Sequence, residues 1–225
     1  MKKILIFDSG PLISLALNGL LSTLEKLKEK FPEIEFVMTP QVKVETIDKA
    51  LTIKKYELEA VKIQSLVDHK IMKMSTDFIS AEKLSKETMR IMNLANTIVK
   101  SDGEYMKIVH VGEASCLAFS NLCNCKNIIA IDERVTRLLT ESPENLQKIM
   151  ERKLHRGVNL TKKNLSTFTN YKFIRSTELA YIAYKNNLYE YKKDKILLDA
   201  LLYALKYSGT SISSKEIEEI KNLDK

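Results

Sequence analysis

Lys3-Ile4-Leu5-Ile6-Phe7-Asp8-Ser9-Gly10-Pro11 is the stretch on which the reading of this chain turns. An apolar run stops at a single carboxylate, and Gly10-Pro11 opens a second apolar stretch. Unbroken rather than alternating hydrophobicity marks a short strand covered on both faces, and Pro11 suits the first turn of a helix. The segment therefore reads as a strand over residues 3–7 that delivers Asp8 to its C-terminal end. In open parallel sheets, ligands bind in the crevice outside those ends. Taken alone, Asp8 is equally well read as the N-cap of the following helix, where its charge also suits the helix dipole.

Working outward, similar short apolar runs occupy residues 34–38, 127–131 and 172–175, and residues 71–74 form a fifth strand or only a linker. Helical patterns lie between them. Residues 11–30 are helical with a break near Asn18-Gly19, and Thr39-Pro40 pairs a capping threonine with proline at the first helical position. Helices follow over residues 54–69 and 78–99, the second ended by Ser101-Asp102-Gly103. Ser142-Pro143-Glu144 opens another, and residues 179–188 and 195–207 form two more before Ser213 or Ser214 caps a last short one. Strands separated by helices predict an α/β fold with a mostly parallel sheet of four to five strands. With 225 residues and 44% hydrophobic content, the chain reads as a single domain over 1–225. A basic, mostly helical insertion is expected at about 140–170, and C-terminal helices at about 193–225.

No apolar run approaches the ~20 residues needed to span a bilayer. The N-terminus lacks a signal peptide's apolar region, so a soluble cytoplasmic protein without membrane partners is expected. Cys116, Cys123 and Cys125 are odd in number and clustered, which disfavours a disulfide framework. Their spacing from His110 fits no usual zinc pattern, so they read as small buried apolar residues. Charge is more telling. Lys148, Arg152, Lys153, Arg156, Lys162, Lys163, Lys172 and Arg175 face one acid, Glu151, an excess equal to the whole chain's net +7. Such a local concentration is the footprint of a polyanion, most simply nucleic acid, although a solvated surface has the same composition.

Three further acids share the context of Asp8. Glu45 lies in the first turns of the helix opened by Thr39-Pro40; Glu113 follows Gly112 where another helix begins; Asp132 ends the run Asn127-Ile128-Ile129-Ala130-Ile131. In a parallel sheet all four converge on one rim. Carboxylates crowded together repel and resist burial as anions, unless a divalent cation neutralises them. Oxygen-only donors suit Mg²⁺ or Mn²⁺. Any one of these acids could be a cap or a surface residue; their conjunction is what points to metal chemistry on a phosphodiester.

These residues resemble the motifs of the PIN domain family. Residues 4–13 (ILIFDSGPLI) look like its opening strand and first acid, and Glu45 after Thr39-Pro40 like its second. Gly112-Glu113-Ala114 resembles the third acidic motif of an archaeal-type branch, and Ile129-Ala130-Ile131-Asp132-Glu133-Arg134 the fourth. Arg137 falls where that branch often carries arginine, and Ser176-Thr177-Glu178-Leu179 resembles the turn opening a late helix. The resemblance implies a three-layer α/β/α sandwich and a Mg²⁺- or Mn²⁺-dependent ribonuclease related to VapC-type toxins and RNA-processing nucleases. It further implies Asp8, Glu45, Glu113 and Asp132 as metal-site and catalytic acids, with Ser9, Arg137 and Thr177 in support. RNA would be the substrate, with a homodimer and a protein inhibitor as partners. Many members have aspartate where this chain has Glu113, and the insertion departs from a compact toxin.

The residues also allow two other readings. A PIN-like fold can bind nucleic acid or protein without cleaving it. Phe7-Asp8 also resembles the start of aspartyl-nucleophile phosphatases, but Gly10 stands where their second aspartate belongs. His69, His110 and His155 suggest no triad, no glycine-rich phosphate loop occurs, and Tyr181, Tyr184, Tyr189 and Tyr191 read as the edge of packed helices.

Overall fold

In the computed structural model, which describes residues 3–223, the apolar opening run is strand β1 (Lys3–Phe7). Ile4, Ile6 and Phe7 are at most 3% exposed, as a central strand covered on both faces requires. The chain continues through α1 (Ser9–Leu17), α2 (Ser22–Lys30), β2 (Ile34–Met38), α3 (Pro40–Lys43), α4 (Glu57–Asp68), β3 (Met72–Met74), α5 (Ala81–Ala95), β4 (Val99–Ser101) and β5 (Glu104–Tyr105). It then forms α6 (Val111–Leu122), β6 (Lys126–Ala130), α7 (Arg134–Glu141), α8 (Pro143–Leu154), β7 (Asn159–Leu160), α9 (Lys162–Leu165), β8 (Phe173–Ile174), α10 (Ser176–Lys185), α11 (Lys195–Tyr207) and α12 (Ser214–Asn222).

The main sheet has the order β3-β2-β1-β6-β8, and all its pairs are parallel. The short run at 72–74 is thus a true edge strand. From β1 the chain steps outward through β2 to β3, then crosses back to β6 and β8 on the other side. With right-handed crossovers, this reversal sends the two sets of helices to opposite faces, consistent with a three-layer α/β/α arrangement. It also puts the switch point of the topology between β1 and β6, the crevice where open parallel sheets take ligands.

Three short elements were not legible beforehand. The expected helix over 78–99 is shorter: α5 stops at Ala95, Val99 already belongs to β4, and Asp102-Gly103 makes a turn between strands. Ser101 pairs with Glu104, and both intervening residues have positive φ (50° and 85°), the two-residue turn of a tight hairpin. β7 pairs with the other side of β4, completing a small antiparallel sheet. The basic insertion supplies β7 and α9 and buries Leu146, Met150, Val158 and Phe168 in the core, so it is integral to the domain. The cysteine expectation is corrected in part: Cys123 and Cys125 are bridged, while Cys116 is buried as expected. Two residues apart at the end of α6, they can close a bond without any long-range framework. Among the described residues, no helix is long and apolar enough to cross a membrane.

Candidate metal centre

Asp8 leaves the sheet at the switch point. Its N–H still donates to the Ala130 carbonyl (3.0 Å), one residue beyond the end of β1, and its side chain caps α1 by accepting from the Gly10 N–H (3.5 Å). Both the capping and the strand-end readings therefore hold for one residue. Its other oxygen, Oδ1, is buried with no hydrogen-bond partner. Burial pushes the Asp8 carboxyl up to about 8; Glu113 and Glu45 add repulsion, and the Ser9 and Gly10 N–H groups oppose it only partly. An orphaned oxygen on a buried acid is costly unless something outside the chain meets it.

Glu45 is presented by a local departure from regular helix. The Thr39 side chain accepts from Val42 N–H (3.3 Å) and Pro40 fills the first position, but the helix then widens into a π-turn over Val44–Asp48. Single π-turns are frequent at functional sites. The half-buried Glu45 carboxylate lies against the first turn of α6. A Cβ at residue 112 would sit 2.7 Å from Oε2 and 2.9 Å from Oε1, so only glycine leaves the carboxylate its place. A relay of hydroxyls joins the two helix starts. Thr39 Oγ1 and Ser115 Oγ are 2.6 Å apart, and Ser115 donates to the Gly112 carbonyl (2.6 Å).

Glu113 sits one residue after that glycine. Its Oε2 accepts the His110 N–H (2.8 Å), satisfying an otherwise orphaned donor at the start of α6. Burial raises its carboxyl to about 7 against that N–H, and the charges of Glu133 and Glu45 raise it further. Behind the acids, Cys116 donates to the Phe7 carbonyl (3.5 Å); burial, then Asp8, Glu113 and Glu45, push its thiol well up, so it stays protonated.

Asp132 is close by and differently engaged. A Cβ at residue 10 would meet the Asp132 Cβ at 3.4 Å and Asp8 Oδ2 at 3.8 Å, so Gly10 separates the two acids. The Asp132 carboxylate, however, accepts from Ser176 N–H (2.9 Å), Ser176 Oγ (2.8 Å), Thr210 Oγ1 (3.0 Å) and Ser14 Oγ (3.2 Å). Burial raises its pKa and these four bonds resist the rise. Its backbone carbonyl also accepts Ser211 N–H (3.2 Å), which ties the segment between α11 and α12 to the rim.

The expected four-acid set is thus divided: the charges of Glu113 and Glu45 act on Asp8 and that of Glu45 on Glu113, whereas Asp132 is held by three hydroxyls and a backbone N–H. Sequence reasoning passed over Glu133, which caps α7 through Val135 N–H (3.1 Å) and whose charge reaches Glu113. Its only signal was adjacency to Asp132. Among the described residues, no three His, Cys, Asp or Glu side chains stand together as a ready-made cation cage. Of the supporting residues, Ser9 turns its N–H toward Asp8, and Thr177 is fully buried with an unpartnered hydroxyl. Arg137 bonds the Ser211 carbonyl (3.2 Å) and pairs with Glu141 (3.5 Å), bracing the same C-terminal segment.

The eight basic residues also divide. Lys148, Arg152, Lys153, Lys162, Lys163 and Lys172 are exposed and have no ion-pair partner among the described residues. Arg156 is exposed but bridges to Asp102 (2.7 Å). Arg175 is spoken for: its side chain is 11% exposed and clamped by Glu178 and by Glu216 (2.6 Å), joining α10 to α12. No protein-family model matches this chain, and no match was found among curated proteins or solved structures.

Proposed function

We propose that this chain is a PIN-type, Mg²⁺- or Mn²⁺-dependent ribonuclease, with Asp8, Glu45 and Glu113 as the acids that hold the ion. The observation carrying this reading is Asp8: a buried carboxylate with an unpartnered oxygen, beside Glu113 and Glu45 at the topological switch point. The donor set is all oxygen, which fits a hard divalent ion, and the Gly112 gap leaves Glu45 room beside the α6 terminus. When bound, such an ion supplies a water of lowered pKa and stabilises charge growing on a phosphodiester.

The chain's own groups do the remainder. Ser9 and Gly10 N–H groups orient the Asp8 carboxyl, the His110 N–H orients Glu113, and the Thr39–Ser115 relay holds the helix starts of Glu45 and Glu113 in register. Asp132 is a positioning residue: its hydroxyl cage fixes the wall behind Gly10 and seats the 208–212 segment. The six unpaired cations between Lys148 and Lys172 would attract the RNA backbone, a sequence-independent and salt-sensitive contribution.

A non-catalytic nucleic-acid-binding module is the second reading, favoured by the engaged oxygens of Asp132. Cleavage of end-labelled single-stranded RNA in Mn²⁺, by wild type and by Asp8→Asn, separates the two. The nuclease reading expects Mn²⁺-dependent products from wild type only, with RNA binding retained in the variant. Equal background cleavage, or none, with binding intact would establish the module.

A further inference from the structure

A cavity of about 780 Å³ lies at the other end of the strands from the acids. Its origin is visible in the strand register. Directly paired residues of a parallel sheet point to the same face, so Lys3, Ile34 and Lys126 form one row, and Leu5, Phe36 and Ile128 the next. The pairing of Ala130 with Ile174 adds Ile174 and Lys172 to that face. All of these residues line the cavity, roofed by Leu27 and Phe31 of the α2 region and by Leu179 and Ile182 of α10. The helices part over the N-terminal ends of β1, β6 and β8. Ile128, on an interior strand, is consequently 40% exposed on a face that a helix would normally cover.

From this geometry we infer a binding site for an anionic amphiphile, a long-chain carboxylate whose apolar tail lies over Leu5, Phe36, Ile128 and Ile174 and whose headgroup meets the lysine rim. The volume falls in the range of about 300–1,000 Å³ typical of small-molecule sites. The floor is apolar, which suits a hydrocarbon tail, while Ser120, Asn121, Asn127 and Asn170 are the polar, uncharged part of the lining. At the mouth, Lys3 has a partner in Glu33 (3.4 Å), whereas Lys126 and Lys172 have no ion-pair partner among the described residues. The rim thus keeps an excess of positive charge where the headgroup would sit. The site is independent of the acid rim and does not rest on the ribonuclease reading.

The test uses the full chain with palmitate, hexadecan-1-ol and octanoate, each below its self-association concentration, monitored by native mass spectrometry and by displacement of a fluorescent polyene fatty acid. One palmitate per chain is expected, with weaker binding of the alcohol and of the short acid. Lys126→Glu with Lys172→Glu, both at exposed positions, should weaken palmitate about tenfold and leave the alcohol unchanged. Ile128→Trp, filling the floor from a half-open position, should abolish binding of both long chains without lowering the melting temperature. Absence of saturable palmitate binding by wild type overturns the site. So does palmitate binding that survives Ile128→Trp, and unchanged palmitate affinity in the double charge reversal overturns the headgroup assignment.

Discussion

Gly112 and Glu45, 67 positions apart in sequence, are in contact so close that a Cβ at 112 would lie 2.7 Å from the Glu45 carboxylate. The obstacle to a larger residue is the far end of a flexible side chain, so Gly112→Ala can fold by displacing that carboxylate. Alanine in the first turn of α6 also favours helix by up to about 1 kcal/mol. The expected result is a melting temperature equal to or above wild type, with Mn²⁺ affinity by calorimetry reduced about tenfold. A melting temperature that falls steeply would mean Glu45 cannot move aside.

Asp8 and Glu113 give the stability a characteristic pH dependence. Their folded carboxyls, at about 8 and about 7, bind protons more tightly than in the unfolded chain. Their contribution is therefore fullest below about pH 4 and is lost as pH rises through 7 to 8. Asp8→Asn keeps the cap but removes the buried charge. Urea denaturation in the absence of divalent ions should show the variant more stable than wild type by roughly 1–3 kcal/mol at pH 8, and no more stable at pH 4.

Removing the Asp132 side chain, unlike that of Asp8, should cost stability. Asp132→Ala leaves the Ser176 N–H without its acceptor, while the Ser176 and Thr210 hydroxyls keep one another (2.6 Å) and Ser14 keeps the Ser208 carbonyl (3.5 Å); the expected cost is about 1–3 kcal/mol, and about 1 kcal/mol for Thr210→Val. Amide exchange would report the 208–212 segment opening in both variants. Full stability in Asp132→Ala would show that the hydroxyl cage does not seat that segment.

The basic residues should separate by role. Charge reversal at Lys148, Arg152 and Lys153 is expected to weaken RNA binding and flatten its salt dependence, each lost phosphate contact removing about 0.7 from the log–log slope. Arg175→Met should instead destabilise by roughly 1–3 kcal/mol, because Glu178 and Glu216, each about a third exposed, lose their shared partner. The pair of measurements, filter binding across salt and thermal melting, distinguishes contact from scaffold.

The strand-end acids were legible because hydrophobic runs that stop at a carboxylate report both burial and position. Asp8 and Asp132 accordingly fall on the neighbouring strand ends of β1 and β6. What those carboxylates face was not legible. The partners of Asp132 lie 118, 44 and 78 residues away, and nothing local in Ser14, Ser176 or Thr210 distinguishes them from surface hydroxyls. The same limit hid Arg175, whose second partner, Glu216, is 41 residues on. The small antiparallel sheet is not legible because its short strands, Val99–Ser101, Glu104–Tyr105 and Asn159–Leu160, form no apolar run, and Asp102-Gly103 signals a stop as readily as a hairpin. Cys123 and Cys125 are only two residues apart, so an odd, clustered cysteine count does not bear on whether they bridge.

Asp8, Glu45 and Glu113, drawn from three distant parts of the chain, are proposed to take up a divalent cation in common. Crystals soaked in Mn²⁺ and measured at an energy where manganese scatters anomalously test it most directly. An anomalous peak touching the Asp8 carboxylate is expected, with Glu45 or Glu113 bound directly or through water, and its loss in Asp8→Asn. A map with no peak at this rim in the wild-type protein, at a Mn²⁺ concentration that labels other surface acids, would contradict it.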